Sequence, residues 1–510
     1  MAPSSSTNIA AIDAGSNAIR LVIARAKSPT TYQELKNDRV ALRLGHDAFT
    51  QRQFDAHTIE QVAEVFRRFK SRMNQYDVQR YRAVATSAAR DARNRKLLVD
   101  RVFRNSGIRL EVIDGPEEAR LIRSAVLSAL GNSVAPQLIA DLGGGSLQLS
   151  FMRQGAVENT ISLSVGTVRL MEKFEIRGAL SERQRHLVNE RTLAMFRRFL
   201  PPTMSGPPAP VVWCGGNAEA LAVIAPGAPV KEIPTLDLNL LARKVGHITR
   251  MEVWERMSTF RVRKDRAEVM AIAAVVFLAL GRWAGVKRVL IPGVGVKEGV
   301  LRDVLNSLSG RDDRAVRANE QVAAARRYAA RLGYDAKHCE AVREFAGALF
   351  DQLRPQHGLD EKARCLLEVS ALLHDIGHSV RRESHHKIGE YLVRNGNIPG
   401  LNGAQRDIVA CLVRYHSEST PNTEHKVYAS LPPARQREVR VLVSLLRIAD
   451  RLDSDHRQTV SGLKLRVGNR KLFLNLKMSR SSDLILWNVQ HGTELFEEEF
   501  GLRVHPKRTP

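Results

Sequence analysis

Two short segments, each an aspartate followed by a glycine-rich turn, place the strongest limit on how this 510-residue chain can fold. The first is DAGSN, which begins at Asp13, and the second is DLGGGS, which begins at Asp141. Each lies between two apolar stretches that predict β-strands. Strands and helical stretches alternate in a similar order after both turns, and this repetition predicts a duplicated α/β architecture.

An aspartate at the start of a glycine turn brings a carboxylate close to several backbone N–H groups. Such amides can bind phosphate oxygens, and the carboxylate can hold Mg²⁺. We therefore expect Asp13 and Asp141 to bind Mg²⁺, with Mn²⁺ as the alternative ion, and the two turns to face each other across a cleft. The turn residues that this interpretation assigns to phosphate are Gly15, Ser16, Asn17, Gly143, Gly144, Gly145 and Ser146.

Eight segments between residue 8 and about residue 305 extend this pattern. They are AIDAGSNAIRLVIAR, ATSAARDARN, EVIDGPEEARLI, LIADLGGGSLQLS, LSVGTVRLMEKF, CGGNAEALA, DRAEVM and VKEGVL. In this order they resemble the exopolyphosphatase/guanosine pentaphosphate phosphohydrolase (Ppx/GppA) family, within the actin–Hsp70–sugar kinase superfamily. The resemblance implies two actin-like lobes and hydrolysis of phosphoanhydride bonds.

The resemblance also assigns roles to individual residues. Glu118, the second glutamate of EEARL, corresponds to the base that orients and deprotonates the attacking water, which agrees with in-line hydrolysis. Arg90 of TSAAR corresponds to a phosphate-contacting arginine, and Gly215 and Gly216 correspond to a later glycine turn at the phosphate. Where the family usually has a glutamate after DxGGGS, this chain has Gln148. Its amide can accept a hydrogen bond from metal-bound water beside the phosphate, but it carries no charge.

A second group of candidate metal ligands lies in a stretch with a helical pattern. His374 and Asp375 form the HD pair of LLHDIGH and offer a nitrogen and an oxygen to one metal. The segments LLHDIGH, HHK, VRYHS and RIADRLD resemble an HD-type domain, and that resemblance adds His338 and Asp450 to the ligand set. Two imidazoles and two carboxylates suit a transition metal better than Mg²⁺. The extra histidines of some HD-type domains are matched by His385, His386 and His416.

The charge of the chain narrows the choice of substrate. Lys and Arg number 78 against 54 Asp and Glu, a formal net charge of +24. This excess favours a polyanion, and the lack of a basic tail or binding motif argues against a specific nucleic-acid partner. The leading prediction is an exopolyphosphatase acting on inorganic polyphosphate, with guanosine pentaphosphate as the second candidate. Two other interpretations stay open: an HD-domain phosphodiesterase or nucleotidase, and a non-catalytic sensor of phosphate polymers.

The predicted organisation has four parts. Residues 8–128 and 129–307 are expected to form the two actin-like lobes, 316–456 a helical HD-type domain, and 457–510 a small β-containing domain. In the last part, the segments LKLRV, LFLNLKM and DLILWNV are each expected to form a strand.

The apolar runs and the cysteines indicate where the protein is located. The longest apolar run, residues 270–280, is too short to cross a bilayer. The four cysteines form no CxxC pair, which is typical of reduced thiols in a cytosolic protein. We therefore expect a cytoplasmic protein without a membrane partner. The resemblance to long family members implies a homodimer.

Overall fold

The chain forms two compact units that divide between Asp312 and Asp313. The computed structural model describes residues 7–509 except 132, 133, 203, 205–209, 309–312, 397 and 418. The finer division into four parts remains a prediction.

The described residues of the first unit form twelve strands and twelve helices. The strands are β1 (Asn8–Ala14), β2 (Ile19–Ala26), β3 (Tyr32–Val40), β4 (Val78–Ala85), β5 (Leu110–Val112), β6 (Leu138–Leu142), β7 (Leu147–Arg153), β8 (Ala156–Leu163), β9 (Val211–Cys214), β10 (Pro226–Val230), β11 (Ile233–Asp237) and β12 (Arg288–Leu290). The helices are α1 (Leu44–Thr50), α2 (Ala56–Gln75), α3 (Ser87–Asp91), α4 (Arg95–Ser106), α5 (Gly115–Leu130), α6 (Thr167–Lys173), α7 (Glu182–Phe199), α8 (Gly215–Ile224), α9 (Leu238–Arg250), α10 (Val253–Phe260), α11 (Lys264–Ala284) and α12 (Val296–Leu308).

The two sheets of this unit repeat one plan. The first has the order β3-β2-β1-β4-β5, and the second has the order β10-β11-β12-β9-β6-β7-β8. In the first sheet β1 pairs antiparallel with β2 and parallel with β4. In the second, β6 pairs antiparallel with β7 and parallel with β9. The order β3-β2-β1-β4-β5 therefore recurs as β8-β7-β6-β9-β12, and the predicted duplication is confirmed.

Helix α11 is the apolar centre of the second sheet's core. It is long and apolar enough to cross a membrane, but 83% of its most apolar 18-residue stretch is buried inside the protein. Phe277 of this helix stacks on Trp213 of β9, with ring centroids 4.4 Å apart. The apolar run at residues 270–280 is shorter than the helix, Lys264–Ala284, because the first turn of the helix carries charged residues. Its burial is that of a core helix.

The second unit is mostly helical and ends in a small sheet with two helices. Its helices are α13 (Asp313–Leu332), α14 (Ala336–Gln352), α15 (Arg354–His357), α16 (Glu361–Leu373), α17 (His385–Asn395), α18 (Gly403–Tyr415), α19 (Lys426–Ala429), α20 (Pro433–Arg451), α21 (Asp483–Gln490) and α22 (Glu494–Phe500), with a 3₁₀ turn at Ile376–Ser379. Its strands are β13 (Val460–Gly468), β14 (Lys471–Met478) and β15 (Arg503–Thr509), in that order in the sheet. A helical region followed by a β-containing tail agrees with the prediction.

One predicted strand of this tail is wrong, because DLILWNV forms helix α21. The Ser482 side chain accepts a hydrogen bond from the N–H of Ile485 and caps the helix. Ile485 and Val489, one turn apart, are buried, whereas Leu484 and Trp487 are exposed. This is the period of a helix, and the dense apolar composition concealed it. Strand β15, which pairs parallel with β14, completes the sheet instead.

Candidate active site

The two aspartate–glycine turns adopt the same local structure. In the first, between β1 and β2, the N–H of Gly15 donates to the carbonyl oxygen of Ala18 over 3.1 Å. In the second, between β6 and β7, the N–H of Gly143 donates to the carbonyl oxygen of Ser146 over 3.0 Å. Each bond closes a tight hairpin turn directly after the strand that carries the aspartate. The two carboxylates therefore leave equivalent positions of the duplicated sheets.

The turns pack against each other without room for side chains. A Cβ atom on Gly144 would lie 3.0 Å from the Cβ of Ser16, and one on Gly145 would lie 2.3 Å from the Oγ of Ser87. A third glycine turn completes the site, where Gly215 has φ +81° and its added Cβ would lie 2.5 Å from Asp141 Oδ1. The backbone of the glycine turns therefore packs directly against serine side chains and a carboxylate, at positions where any larger residue would clash.

Three buried carboxyl groups line the pocket between the turns. Asp13, Glu118 and Asp141 are only 6%, 5% and 7% exposed. Burial, followed by the charge of Glu118, raises the pKa of Asp141 to about 7. Burial also raises the pKa of Asp13, an effect that Arg20 opposes from 3.7 Å. Carboxylates that are costly to ionise at this depth fit a divalent cation, which would offset both burial and mutual repulsion.

Glu118 is held in place by side chains from two other elements, α3 and β7. It lies in the first turn of α5, which the Asp114 carboxylate caps by accepting from the N–H of Glu117. Arg90 Nη1 donates to Glu118 Oε2 over 3.0 Å, and Gln148 Nε2 donates to the same oxygen over 3.1 Å. Burial raises the pKa of Glu118, and Arg90 works against that rise. One carboxylate oxygen is thus fixed, and within the described part of the chain no hydrogen bond reaches Oε1.

Helix α5 itself is fixed by a close contact with α12. A Cβ atom on Gly299 would lie 2.1 Å from the carbonyl oxygen of Leu121, one turn after Glu118. The two helices can approach this closely because Gly299 has no side chain.

The neighbouring glutamate has a different environment. Glu117 accepts hydrogen bonds from Arg120 at 2.7 Å and from Arg82 at 3.0 Å. Burial favours a neutral Glu117, but these two guanidinium groups prevail and lower its pKa to about 2. Glu117 is a partner in an ion-pair network and does not line the pocket described above. The two adjacent glutamates therefore provide a matched pair for experiments.

Three arginines of the pocket were not predicted from the sequence. Arg20 pairs in register with Asp13 across the first hairpin, and Arg39 pairs with Arg20 on the next strand. Arg266, from the first turn of α11, donates to the side-chain oxygen of Asn217 over 2.9 Å. Burial, together with the charges of Arg20 and Arg39, lowers the pKa of Arg266 to about 10. Crowded guanidinium groups of this kind favour a polyanionic ligand.

Most of the predicted phosphate-binding residues line this pocket. Asn17 there also binds α11, because its amide donates to the Asp265 carbonyl oxygen over 3.1 Å. The predicted residues in the lining are Gly15, Ser16, Asn17, Gly143, Gly144, Gly215 and Gly216, beside the three carboxyl groups. Among the residues that the structure describes, the other four predicted positions are not part of the lining: Arg90, Gly145, Ser146 and Gln148. Arg90 and Gln148 contact Glu118 instead, and their assignment to phosphate remains a prediction.

The predicted metal ligands of the second unit also lie together. His338 Nε2 is 3.2 Å from His374 Nε2 and 3.3 Å from an oxygen of Asp450. Asp375 Oδ2 lies 3.5 Å from His374 Nε2. The extra histidines are close as well, with His385 and His416 beside Asp375 and with His386 edge-on to His385. The bound metal and the HD type of this domain remain predictions.

Comparisons with known proteins agree with this architecture. The sequence model of the Ppx/GppA phosphatase family matches residues 22–308, and that of domain III of Ppx/GppA phosphatases matches residues 322–492. A Ppx/GppA family member from Aquifex aeolicus is 25% identical, with a TM-score of 0.50 over 60% of this chain and 99% of its own. An exopolyphosphatase-like protein is 26% identical, with a TM-score of 0.51, and the match covers 60% of this chain and 100% of that protein. An exopolyphosphatase from Cytophaga hutchinsonii, 22% identical over 59% of this chain and 98% of its own with a TM-score of 0.52, shares the fold.

The first unit therefore has the actin-like fold, and the family model that matches most of it is that of a phosphatase family. The chain belongs to the Ppx/GppA phosphatase family. It is a hydrolase that acts on phosphoanhydride bonds.

Proposed function

We propose that this protein is an exopolyphosphatase, which removes the terminal phosphate of inorganic polyphosphate, and that Glu118 is its general base. The family supports phosphatase activity on polyphosphate or on guanosine pentaphosphate. The observation that carries the assignment of the base is the environment of Glu118. Its Oε2 is fixed by Arg90 and Gln148 while the carboxylate lines the phosphate pocket.

The chemistry follows from this placement. Glu118 accepts a proton from a water molecule as the water oxygen attacks the terminal phosphorus in line with the bridging oxygen. The bond from phosphorus to the bridging oxygen breaks, the shortened chain leaves with the electron pair, and orthophosphate is released. Arg90 and Gln148 hold the carboxylate at a constant position through the reaction, since both donate to the same oxygen.

A divalent metal, which the family generally requires, fits the two aspartates of the site. Asp13 and Asp141 would hold it, and we propose Mg²⁺ because two carboxylates and phosphate oxygens form a hard, all-oxygen ligand set. The raised pKa of Asp141 and the absence of any side chain at Gly215 beside it both fit a bound cation. When bound, the ion neutralises charge on the phosphates.

The charge distribution favours the polymer over the nucleotide. Arg20, Arg39 and Arg266 gather at one pocket, and the whole chain carries a formal net charge of +24. A long polyphosphate engages many cationic groups at once, whereas guanosine pentaphosphate needs only a local site. The nucleotide would use the same carboxylates and turns, so it is the competing substrate in the test.

The test compares two adjacent glutamates. Glu118→Gln should lower kcat for phosphate release by about 100-fold or more, the usual contribution of a positioned base, with little change in substrate binding. Glu117→Gln is the matched control, because Glu117 binds Arg82 and Arg120 and does not line the pocket. This control should keep kcat within a few-fold while the melting temperature of the protein falls.

Each variant and the wild type are assayed on long polyphosphate and on guanosine pentaphosphate. Near-normal turnover by Glu118→Gln would remove this residue from the mechanism. A higher kcat/KM for guanosine pentaphosphate than for polyphosphate would assign the nucleotide as the substrate and leave the role of Glu118 intact.

Three further expectations belong with this proposal. The four-part division, with residues 316–456 as an HD-type domain, agrees with the helical second unit and its His/Asp cluster. A homodimer and a cytoplasmic location follow from the resemblance to long family members and from the cysteine content. Light scattering after size-exclusion chromatography would check the dimer.

A further inference from the structure

The small sheet of the second unit, formed by β13, β14 and β15, has one buried face and one exposed face. Successive side chains of a strand point to opposite faces of its sheet. In β14 the even-numbered residues from 472 to 478 are buried, so the odd-numbered residues face outward. The register places Arg466 of β13 and His505 of β15 beside Phe473 on this outward face. The outward side chains of all three strands therefore form one continuous surface.

This surface carries six cationic side chains, and its described outward positions include no carboxylate. Lys471 of β14 lies directly opposite Arg503 of β15, a like-charged pair that weakens a sheet when no anion is bound. Glu497, outside the strands, lies 3.8 Å from Arg503, and within the described part of the chain no ion pair reaches the other five cations. Free cations packed side by side favour a polyanionic partner. The six, all exposed, define the basic sheet face: Lys464, Arg466, Lys471, Lys477, Arg503 and Lys507.

An aromatic ring lies at the centre of the basic sheet face. The guanidinium carbon of Arg466 is 5.0 Å from the ring centroid of Phe473, and the amine of Lys507 is 5.6 Å from it. The ring of His505 lies 5.8 Å away on the third strand. Proteins that bind single-stranded nucleic acids combine these two features, because bases stack on aromatic rings while cations contact phosphates. A polymer of phosphate alone has no base to stack on the ring.

Asn475 favours RNA over DNA as the single strand. It follows Phe473 on the same face and pairs in register with Lys464 on one side and Lys507 on the other. Its amide offers both a hydrogen-bond donor and an acceptor, and so does the ribose 2′-hydroxyl that distinguishes RNA from DNA. The row next to the aromatic ring therefore combines a sugar-binding group with two phosphate-binding groups.

We propose that the basic sheet face binds single-stranded RNA without a preference for base sequence. Phe473 stacks on a base, the six cations contact phosphates, and Asn475 binds a 2′-hydroxyl group. The outward positions from 471 to 477 give a face about 20 Å long, and three strands give a width of about 10 Å, enough for a short single strand. No tail or motif in the sequence marks this surface, because its residues come from three strands and gather only when the strands pair.

The test measures RNA binding to the full chain by fluorescence anisotropy. The probe is a fluorescein-labelled RNA of mixed sequence and about 12 nucleotides, within the range of site sizes of single-strand binding proteins. A chelator is present, so that no metal ion can bridge the RNA to carboxylates. Affinity is measured at several salt concentrations, because the slope of its logarithm against that of the salt concentration counts the phosphates in contact.

Two variants separate stacking from charge. Phe473→Leu keeps an apolar side chain and removes the ring, so it should lower RNA affinity about 10-fold and leave the salt slope unchanged. Lys471→Gln with Lys507→Gln should lower affinity and reduce the salt slope by about 1.4, because each phosphate contact of a single strand contributes about 0.7. Lys337→Gln with Lys362→Gln is the control, since it removes the same charge from exposed positions on α14 and α16. The control should leave both quantities unchanged.

Three other ligands are measured on the same proteins. DNA of the same sequence should bind more weakly than the RNA, and vesicles of equal parts phosphatidylglycerol and phosphatidylcholine should not displace the RNA. The affinity for polyphosphate should be the same for Phe473→Leu and for the wild type, because this polymer has no bases. Thermal unfolding checks that each variant is folded, and the exposed lysines keep the test valid if Phe473→Leu is not.

Several results would overturn the proposal. RNA affinity that neither variant lowers, or that the control lowers as much, would mean that RNA responds only to the net charge of the chain. Equal or tighter binding of DNA would exclude RNA as the specific partner, and displacement by the vesicles would assign the face to a membrane surface. Loss of affinity for polyphosphate but not for RNA in the lysine variant would assign it to the phosphate polymer. None of these measurements uses phosphate release, so the proposed polyphosphatase function is judged separately.

Discussion

Replacement of Asp141 by asparagine should stabilise the metal-free protein above neutral pH. Burial and the charge of Glu118 raise the pKa of Asp141 to about 7, from an ordinary value of 3.8. Between these pH values the folded protein keeps a proton on this carboxyl group that the unfolded chain has released. Because the folded state binds more protons in this window, the free energy of unfolding falls as the pH rises through it.

The size of the effect follows from the pKa difference. One unit of pKa corresponds to about 1.4 kcal/mol, so ionising Asp141 in the folded state costs at most about 4 kcal/mol. Local relaxation and water entry reduce the cost of a buried charge, and we expect about 2 kcal/mol. Asparagine has nearly the same shape and no charge. Asp141→Asn should therefore raise the free energy of unfolding by about 2 kcal/mol near pH 8.5, and the difference should shrink towards pH 4.

Urea unfolding in the presence of a chelator, followed by tryptophan fluorescence, measures this difference. Trp213 is fully buried and pairs in register with Ala140, next to Asp141. Asp100→Asn, on the exposed side of α4, controls for the loss of a negative charge from a basic protein. Added Mg²⁺ should stabilise the wild type and have little effect on Asp141→Asn. Parallel pH profiles for wild type and Asp141→Asn would refute the assignment of Asp141 as a strained, cation-binding carboxylate.

Three further predictions follow from the two sites. Affinity for long polyphosphate should fall steeply between about 50 and 200 mM salt, and affinity for triphosphate should fall less, because triphosphate engages fewer cationic groups. Equal salt slopes in binding measurements would argue that the polymer does not engage more cationic groups than triphosphate does. After chelation, Mg²⁺ alone should restore phosphate release from polyphosphate, and Asp375→Ala should keep this activity while losing tightly bound transition metal. Loss of activity in a folded Asp375→Ala protein would mean that the second unit shares in catalysis. Gln148→Glu replaces a hydrogen-bond donor to Glu118 with a carboxylate, so the pKa of Glu118 should rise. The pH at which kcat falls on the acid side should therefore increase by about one unit. No change in that pH would mean that residue 148 does not influence the pKa of the base.

The sequence predicted the parts of the site that local structure determines. Asp13 and Asp141 follow from a strand–turn–strand pattern in which one backbone hydrogen bond closes each turn. Arg20 had a usable signal as well, because its position opposite Asp13 follows from pairing the two strands of the hairpin. For Arg266 the only signal in the sequence was its place in the DRAEVM segment. Its contact with Asn217 joins elements that are far apart in the chain. Contacts of that kind depend on tertiary packing.

The fold was predictable where apolar and polar residues alternate clearly. Strand β3, with the sequence YQELKNDRV, gave no such signal because it is an edge strand with polar side chains on both faces. Helix α21 was mistaken for a strand because apolar residues occupy most of its positions, and only burial shows which of them face the core. The grouping of Arg90 and Gln148 on Glu118 could not be inferred either. Both were expected at the phosphate, and that assignment remains a prediction beside the contacts that the structure shows with Glu118.

The glycine at the contact between α5 and α12 has a consequence for protein engineering. Replacing a glycine within a helix by alanine usually gains about 0.5 to 1 kcal/mol, so a stability design would select Gly299 early. Here the new methyl group would meet the Leu121 carbonyl at 2.1 Å and push the two helices apart. Because Glu118 lies one turn before Leu121, the carboxylate would move with its helix, away from Arg90 and Gln148. A mutational screen would therefore score Gly299 among the residues needed for turnover, although it lies outside the pocket lining and contributes only its lack of a side chain.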